Sequence, residues 1–174
     1  MTVAAWEAGT RERFPYEIVS HWRVPGRIDR VNDVLSDTAA MPGWWPQAYH
    51  RVREIAAGDE AGRGKILEIT TKGALPYELT WRLEILEAER PRLIRLRASG
   101  ELVGFGEWRL AESGGEVSLT YTWRVRAEHP ILRRLEFLLK PIFALNHNWV
   151  MGKGEAGMKR ELARRRDARN APSP

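Results

Sequence analysis

Four histidines, His21, His50, His129 and His147, are the chain's candidates for acid–base or metal work, and there is no cysteine. Without cysteine there is no disulfide, zinc–thiolate site, iron–sulfur ligation or cysteine nucleophile. No histidine pair has the H-E-x-x-H spacing that sets two imidazoles on one helix face, and no Gly-x-Ser-x-Gly elbow presents a serine. No metal and no cofactor are therefore expected. His147 sits at the edge of an apolar helical stripe. It reads first as a boundary histidine and second as a general base, with Glu107 the other acid–base candidate.

Gly152-Lys153-Gly154-Glu155-Ala156-Gly157 matches G-x-G-x-x-G letter by letter. Dinucleotide binding would need a strand before it and a βαβ unit around it. Here the surrounding pattern is helical, so the expected role is steric: small residues let a helix approach its sheet. Asn146 falls in the middle of the same helix's apolar stripe. A buried amide needs partners, which makes Asn146 either a structural anchor or a donor and acceptor for a ligand.

Aromatic residues are the other chemical resource. Eight tryptophans stand beside four tyrosines and four phenylalanines. Trp81, Tyr121 and Trp123 take inward positions on two alternating strands, and Trp108 lies on a strand whose inward face is undecided. Trp22, Trp45, Tyr49 and Tyr77 are placed to join them. For any one ring, core packing is the simpler account; as a group they suit the wall of an apolar pocket. The candidate ligand-lining residues are Trp45, Tyr77, Trp81, Trp108 and Tyr121, with Trp123, Ile142, Asn146 and Trp149. The basic run from Lys159 to Arg169 is broken by Glu161 and Asp167 and has no interleaved aromatic. It reads as a solvated helix end, not as a specific nucleic-acid site.

These residues need elements to position them. Tyr16 to Val24 alternates as a strand and stops at Pro25-Gly26. Ile28, Val31, Val34 and Leu35 have the spacing of a short amphipathic helix, and Pro42, Gly43 and Pro46 around Trp44-Trp45 mark a turn or broken helix. From Gln47 to Arg126 strands alternate with breaks at Ala57-Gly58-Asp59, Gly73-Ala74, Glu89-Arg90-Pro91, Gly100 and Ser113-Gly114-Gly115. The cleanest strands set Tyr77, Leu79, Trp81, Leu83 and Ile85, then Val117, Leu119, Tyr121, Trp123 and Val125, on one face. An antiparallel meander of five or six strands with one covered side follows. After Ile131 the period turns helical, with Ile131, Leu132, Leu135, Leu138 and Leu139 in one wide stripe. Ile142, Phe143, Leu145, Trp149 and Val150 continue it, and Pro141 is expected to kink or restart the helix.

A chain of 174 residues, 43% hydrophobic and 29% charged, is one globular domain that buries roughly 70% of its unfolded surface. No stretch approaches the length of a membrane span, and Met1 to Phe14 lacks signal-peptide order. The expected location is the cytoplasm. The expected boundaries are an N-terminal extension over 1–15, the domain over 16–166 and a disordered tail over 167–174. The formal charge of +5 is mild.

The sequence resembles the START-like superfamily, the SRPBCC group that includes polyketide cyclase/dehydrase-like proteins and the birch-pollen-allergen fold. The resemblance rests on His21-Trp22-Arg23-Val24-Pro25, Val31-Asn32-Asp33-Val34-Leu35 and Pro42-Gly43-Trp44-Trp45-Pro46. Asn146-His147-Asn148-Trp149-Val150-Met151 and Gly154-Glu155-Ala156-Gly157-Met158-Lys159 complete it. It implies an α+β helix-grip fold: a curled antiparallel sheet wrapped on a long C-terminal helix, with two short helices after the first strand. It also implies a cavity between sheet and helix for a small hydrophobic or aromatic molecule, lipid- or polyketide-like. Two other functions are carried beside binding: a metal-free cyclase/dehydratase-type lyase or isomerase in the same cavity, and a protein-interaction module. A homo-oligomer is compatible with either.

Overall fold

The computed structural model describes residues 14, 16–72, 78–128 and 136–170, with side chains omitted at 16 and 136–143. Strand β1 (Tyr16–Pro25) leads into helix α1 (Ile28–Ser36) and the single turn α2 (Met41–Trp44). Six strands follow: β2 (Arg51–Ala56), β3 (Ile66–Thr71), β4 (Leu79–Glu89), β5 (Leu93–Gly100), β6 (Leu102–Ser113) and β7 (Glu116–Ala127). Helix α3 (Glu136–Asn170) closes the chain. All strand pairs are antiparallel, in the order β1-β7-β6-β5-β4-β3-β2, so the first strand returns to flank the last. The meander of β2 to β7 arises from short connections between alternating segments. Between β6 and β7, Gly114 and Gly115 take φ of +60° and +81°, the pair of positive angles a tight hairpin requires.

Alternation decides the two faces. Val117, Leu119, Tyr121, Trp123 and Val125 of β7 are buried, as are Trp81 and Leu83 of β4. On β6 the buried set is Gly104, Gly106, Trp108 and Leu110, which settles that strand's inward face. The opposite face carries ion pairs, among them Arg53–Glu68, Arg97–Glu84 and Arg95 with Glu87 and Glu107. Register shifts at Glu54/Ala56 in β2 and Ile85/Glu87 in β4 bend these strands and curl the sheet.

Helix α1 buries Ile28, Val31, Asn32, Val34 and Leu35 against the sheet's concave face. Its N-cap side chain makes no capping bond, but Glu112 of β6 accepts the Ile28 N–H at 2.8 Å and serves instead. At the other flank Arg90 donates to Asn32 at 3.0 Å and to Asp33 at 2.7 Å, tying α1 to the β4–β5 turn.

Helix α3 departs from expectation in three ways. It runs unbroken through Pro141, which lies in the second turn, where the missing N–H forfeits one intrahelical bond near the helix start. It continues over residues 167–170, assigned above to the tail. Its buried face also meets the expected stripe only in part. Of the stripe, Val150 is buried but Leu145 is 70% and Trp149 42% exposed, and the burial passes to Met151, Gly154, Gly157, Met158 and Glu161. The glycines explain the choice. A Cβ on Gly157 would collide with the Trp44 carbonyl oxygen, and one on Gly154 with the Trp45 and Trp22 rings. The helix is therefore seated where it has no side chains, against α2 and β1. Residues 131, 132 and 135 of the stripe, and the side chains of 138, 139, 142 and 143, lie outside the described residues. Among the described residues no helix is long and apolar enough to cross a membrane.

Candidate functional site

The tryptophans form a connected interior array. Trp22 stands 5.0 Å from Trp45 and 4.9 Å from Trp108, and Trp45 stacks on Trp44 at 5.6 Å. From Trp108 the array continues across the sheet. Tyr121 stacks on it at 4.3 Å, Trp123 on Tyr121 at 5.8 Å, and Trp81 lies 5.9 Å beyond. Two glycines make room. Gly106 has no Cβ where the Tyr121 hydroxyl (2.7 Å) and a Trp123 ring carbon (3.0 Å) lie, and Gly104 lets β7 come close to β6.

Beside this array an open apolar pocket lies on the concave face. Its floor is Leu67, Leu83, Ile85, Ile94 and Leu96 with Trp108. Leu35, Ser36, Thr38 and Met41 of the α1–α2 region roof it, with Tyr49 on the wall. The β2–β3 loop supplies the rim through Ala61, Gly62 and Lys65, whose ammonium pairs with Glu54 at 3.4 Å. This pocket lies under α1 and α2, and no described residue of α3 lines it.

The predicted lining residues divide accordingly. Trp108 stands on the cavity wall. The Trp45 indole donates to the Val150 carbonyl oxygen at 2.9 Å and its ring fills the space over Gly154. Trp81, Tyr121 and Trp123 are buried in the aromatic stack that continues from Trp108, and the Trp81 indole is held by Thr71 Oγ1 at 2.8 Å. Asn146 is half-buried, and Trp149 faces outward with Lys153 Nζ 5.8 Å from its ring centroid. Tyr77 and the Ile142 side chain lie outside the described residues. The apolar residues Leu35, Met41, Leu67, Ile94 and Leu96 were not anticipated as lining, because nothing local distinguishes a wall leucine from a core leucine.

Polar chemistry near the interior is sparse. Tyr49 and Tyr121 are each 8% exposed, and neither hydroxyl has a hydrogen-bond partner among the described residues. Burial pushes both phenols up in pKa, and for Tyr121 a charge on Tyr49 would add to the rise, so both stay neutral donors. His147 Nε2 lies 3.2 Å from Ser20 Oγ, and burial pushes this imidazole down to about 4. Glu107, the other acid–base candidate, is excluded from the interior. It lies on the outer face, where burial alone would raise its pKa, but hydrogen bonds from Arg95 (2.8 Å) and Arg109 (2.5 Å) hold it below the usual range. His21 meets Thr120 and His50 meets Glu78, far apart on the surface, while His129 lies outside the described residues. Among the described residues no cluster of three histidine or carboxylate side chains is placed to hold a metal ion.

A curled seven-stranded antiparallel sheet closed on a long C-terminal helix, with an apolar cavity on its concave face, is the helix-grip architecture. The chain belongs to the family described as polyketide cyclase / dehydrase and lipid transport, whose sequence model matches residues 16–163. Comparison with curated proteins gives no match. Among solved structures, the fold is similar to a START superfamily protein from Mycobacterium smegmatis (11% identity, TM-score 0.68, 85% of this chain and 97% of that one). It is also similar to the Zhui aromatase/cyclase from Streptomyces sp. R1128 (17%, 0.64, 86% and 94%) and to norcoclaurine synthase from Thalictrum flavum (14%, 0.55, 86% and 87%). At these identities the likeness is one of fold.

Proposed function

We propose that the protein binds a small hydrophobic or aromatic molecule, lipid- or polyketide-like, in the cavity between the sheet and the α1–α2 cover. The observation that carries this reading is the open pocket itself, whose lining is largely aliphatic and aromatic with few polar groups, as small-molecule sites are. Membership of a family that includes lipid transport supports it. Titration with naphthalene is the test. Binding beside Trp108 quenches tryptophan fluorescence, and ligand at about 100 times Kd adds about 2.7 kcal/mol. For a domain of this size that raises Tm by about 5–10 °C. No quenching and an unchanged Tm in saturated naphthalene would refute binding.

A second reading, a cyclase- or dehydratase-type enzyme in the same interior, draws on the fold likeness to an aromatase/cyclase and on the contact between His147 and Ser20. A neutral imidazole bonded to a hydroxyl is able to accept a proton from it or return one. Its depressed pKa makes it a weak base, which favours binding over catalysis as the primary reading.

A further inference from the structure

The turn that joins α1 to α2 forms one lip of the pocket: Ser36 and Met41 at its ends and Thr38 within it are lining residues. Asp37 organises this turn. Its backbone N–H donates to the Asp33 carbonyl oxygen at 3.1 Å, which closes α1, and its Oδ1 accepts the Ala40 N–H at 3.3 Å, which leads into α2. The second oxygen, Oδ2, accepts a hydrogen bond from Arg165 of α3 at 2.6 Å. Among the described residues, every other hydrogen bond of residues 36–41 stays within the α1–α2 region. The polar tie between this lip and the rest of the fold is therefore the one to Arg165.

Arg165 is built for that task. Glu161, buried one helical turn earlier, accepts the Arg165 Nε–H at 2.7 Å. One planar guanidinium is thus fixed between a buried carboxylate on α3 and the carboxylate in the lip, which a point-charge ammonium could not bridge in the same way. Within the basic run from Lys159 to Arg169, Arg160, Arg166 and Arg169 are exposed, whereas Arg165 is half-buried. Its position, not the charge of the run, sets it apart.

Resting on the reading of this pocket as a ligand site, we propose that Arg165 is a positioning residue of that site: acting through Asp37, it holds the Ser36–Met41 lip in place and thereby slows the departure of a bound ligand.

Stopped-flow fluorescence of naphthalene release tests this in the full chain and in its Arg165→Gln, Asp37→Asn and doubly substituted variants. Asp37→Asn keeps the oxygen that accepts the Ala40 N–H. Each single substitution is expected to speed release about fivefold, the scale of one lost hydrogen bond, and the double variant no more than either single one. Val117→Ala supplies the control: it cuts the buried core on β7, away from the lining residues, and should lower Tm without changing the release rate. In the unsubstituted chain, 1 M potassium chloride should speed release, because the ion pair is only partly buried; this arm stands even if a variant fails to fold. Release at one rate in all variants and at both salt concentrations would overturn the positioning role and leave the pocket reading intact. Equal acceleration by Val117→Ala would overturn it too, since the rate would then report stability alone. If naphthalene does not bind, the pocket reading falls and the role of Arg165 falls with it.

Discussion

His147 shows how much one side chain's surroundings decide. Its imidazole sits between α3 and β1 beside Ser20, and burial takes its pKa from 6.5 down to about 4. The unfolded chain therefore binds a proton that the folded chain refuses. The associated stability is complete above pH 6.5 and is lost as the pH falls towards 4. Replacing His147 with Gln is expected to flatten the fall in Tm across that window, and NMR titration of the wild-type ring should give a midpoint well below 6. A ring that titrates near 6.5 would show that it is solvated. The sequence places His147 at the stripe's edge but carries no sign of Ser20, which lies 127 residues away in the chain. Glu107 was equally opaque. Alternation puts it opposite Trp108, and only the burial of Trp108 decided that the carboxylate belongs to the outer face.

Among the elements, α3 is the one whose position rests on what is missing. Gly154 and Gly157 press on Trp45 and Trp44, whereas nothing lies within 4 Å of a Cβ built on Gly152. The three positions therefore respond in opposite senses. Gly157→Ala is expected to cost about 2–3 kcal/mol in urea unfolding, because the Trp44 backbone cannot move aside as a side-chain end would. Gly154→Ala should cost a comparable amount by displacing the Trp45 indole from its bond to Val150. Gly152→Ala should gain up to about 1 kcal/mol from helix propensity alone. Equal effects at all three positions would contradict the seating of the helix. A steric role for the glycine pattern was legible in the sequence. The partner was not, since the helix approaches α2 and β1 more closely than the sheet as a whole.

At the scale of the whole molecule, the basic end of α3 ties the helix back to the start of the domain. Glu161 is 8% exposed and receives Arg164 and Arg165, and Arg165 also reaches Asp37 between α1 and α2 at 2.6 Å. Hydrogen bonds from Arg164 and Arg165 outweigh burial and take the Glu161 carboxyl from 4.5 down to about 2. The stability involved is present above pH 4.5 and is lost as the pH falls towards 2. A chain ended after residue 163 should lose about 1–3 kcal/mol at pH 7, whereas one ended after residue 166 keeps both guanidinium groups and should melt as the full chain does. Equal Tm values for the two truncations would show that the network contributes nothing.

The sequence by itself determined the order and type of the elements, the faces of β4 and β7, the β6–β7 turn and the family, because period, turn residues and motif words are local. The tertiary structure decided which side of α3 is buried, which carboxylate faces out and where the cavity lies. The first half of α3 carries apolar residues over a wide arc, so its own period favours no narrow face; two glycines meeting Trp44 and Trp45 settle it. The cavity likewise belongs to no element. It is the space left where α1 and α2 cover a sheet curled by its bulges.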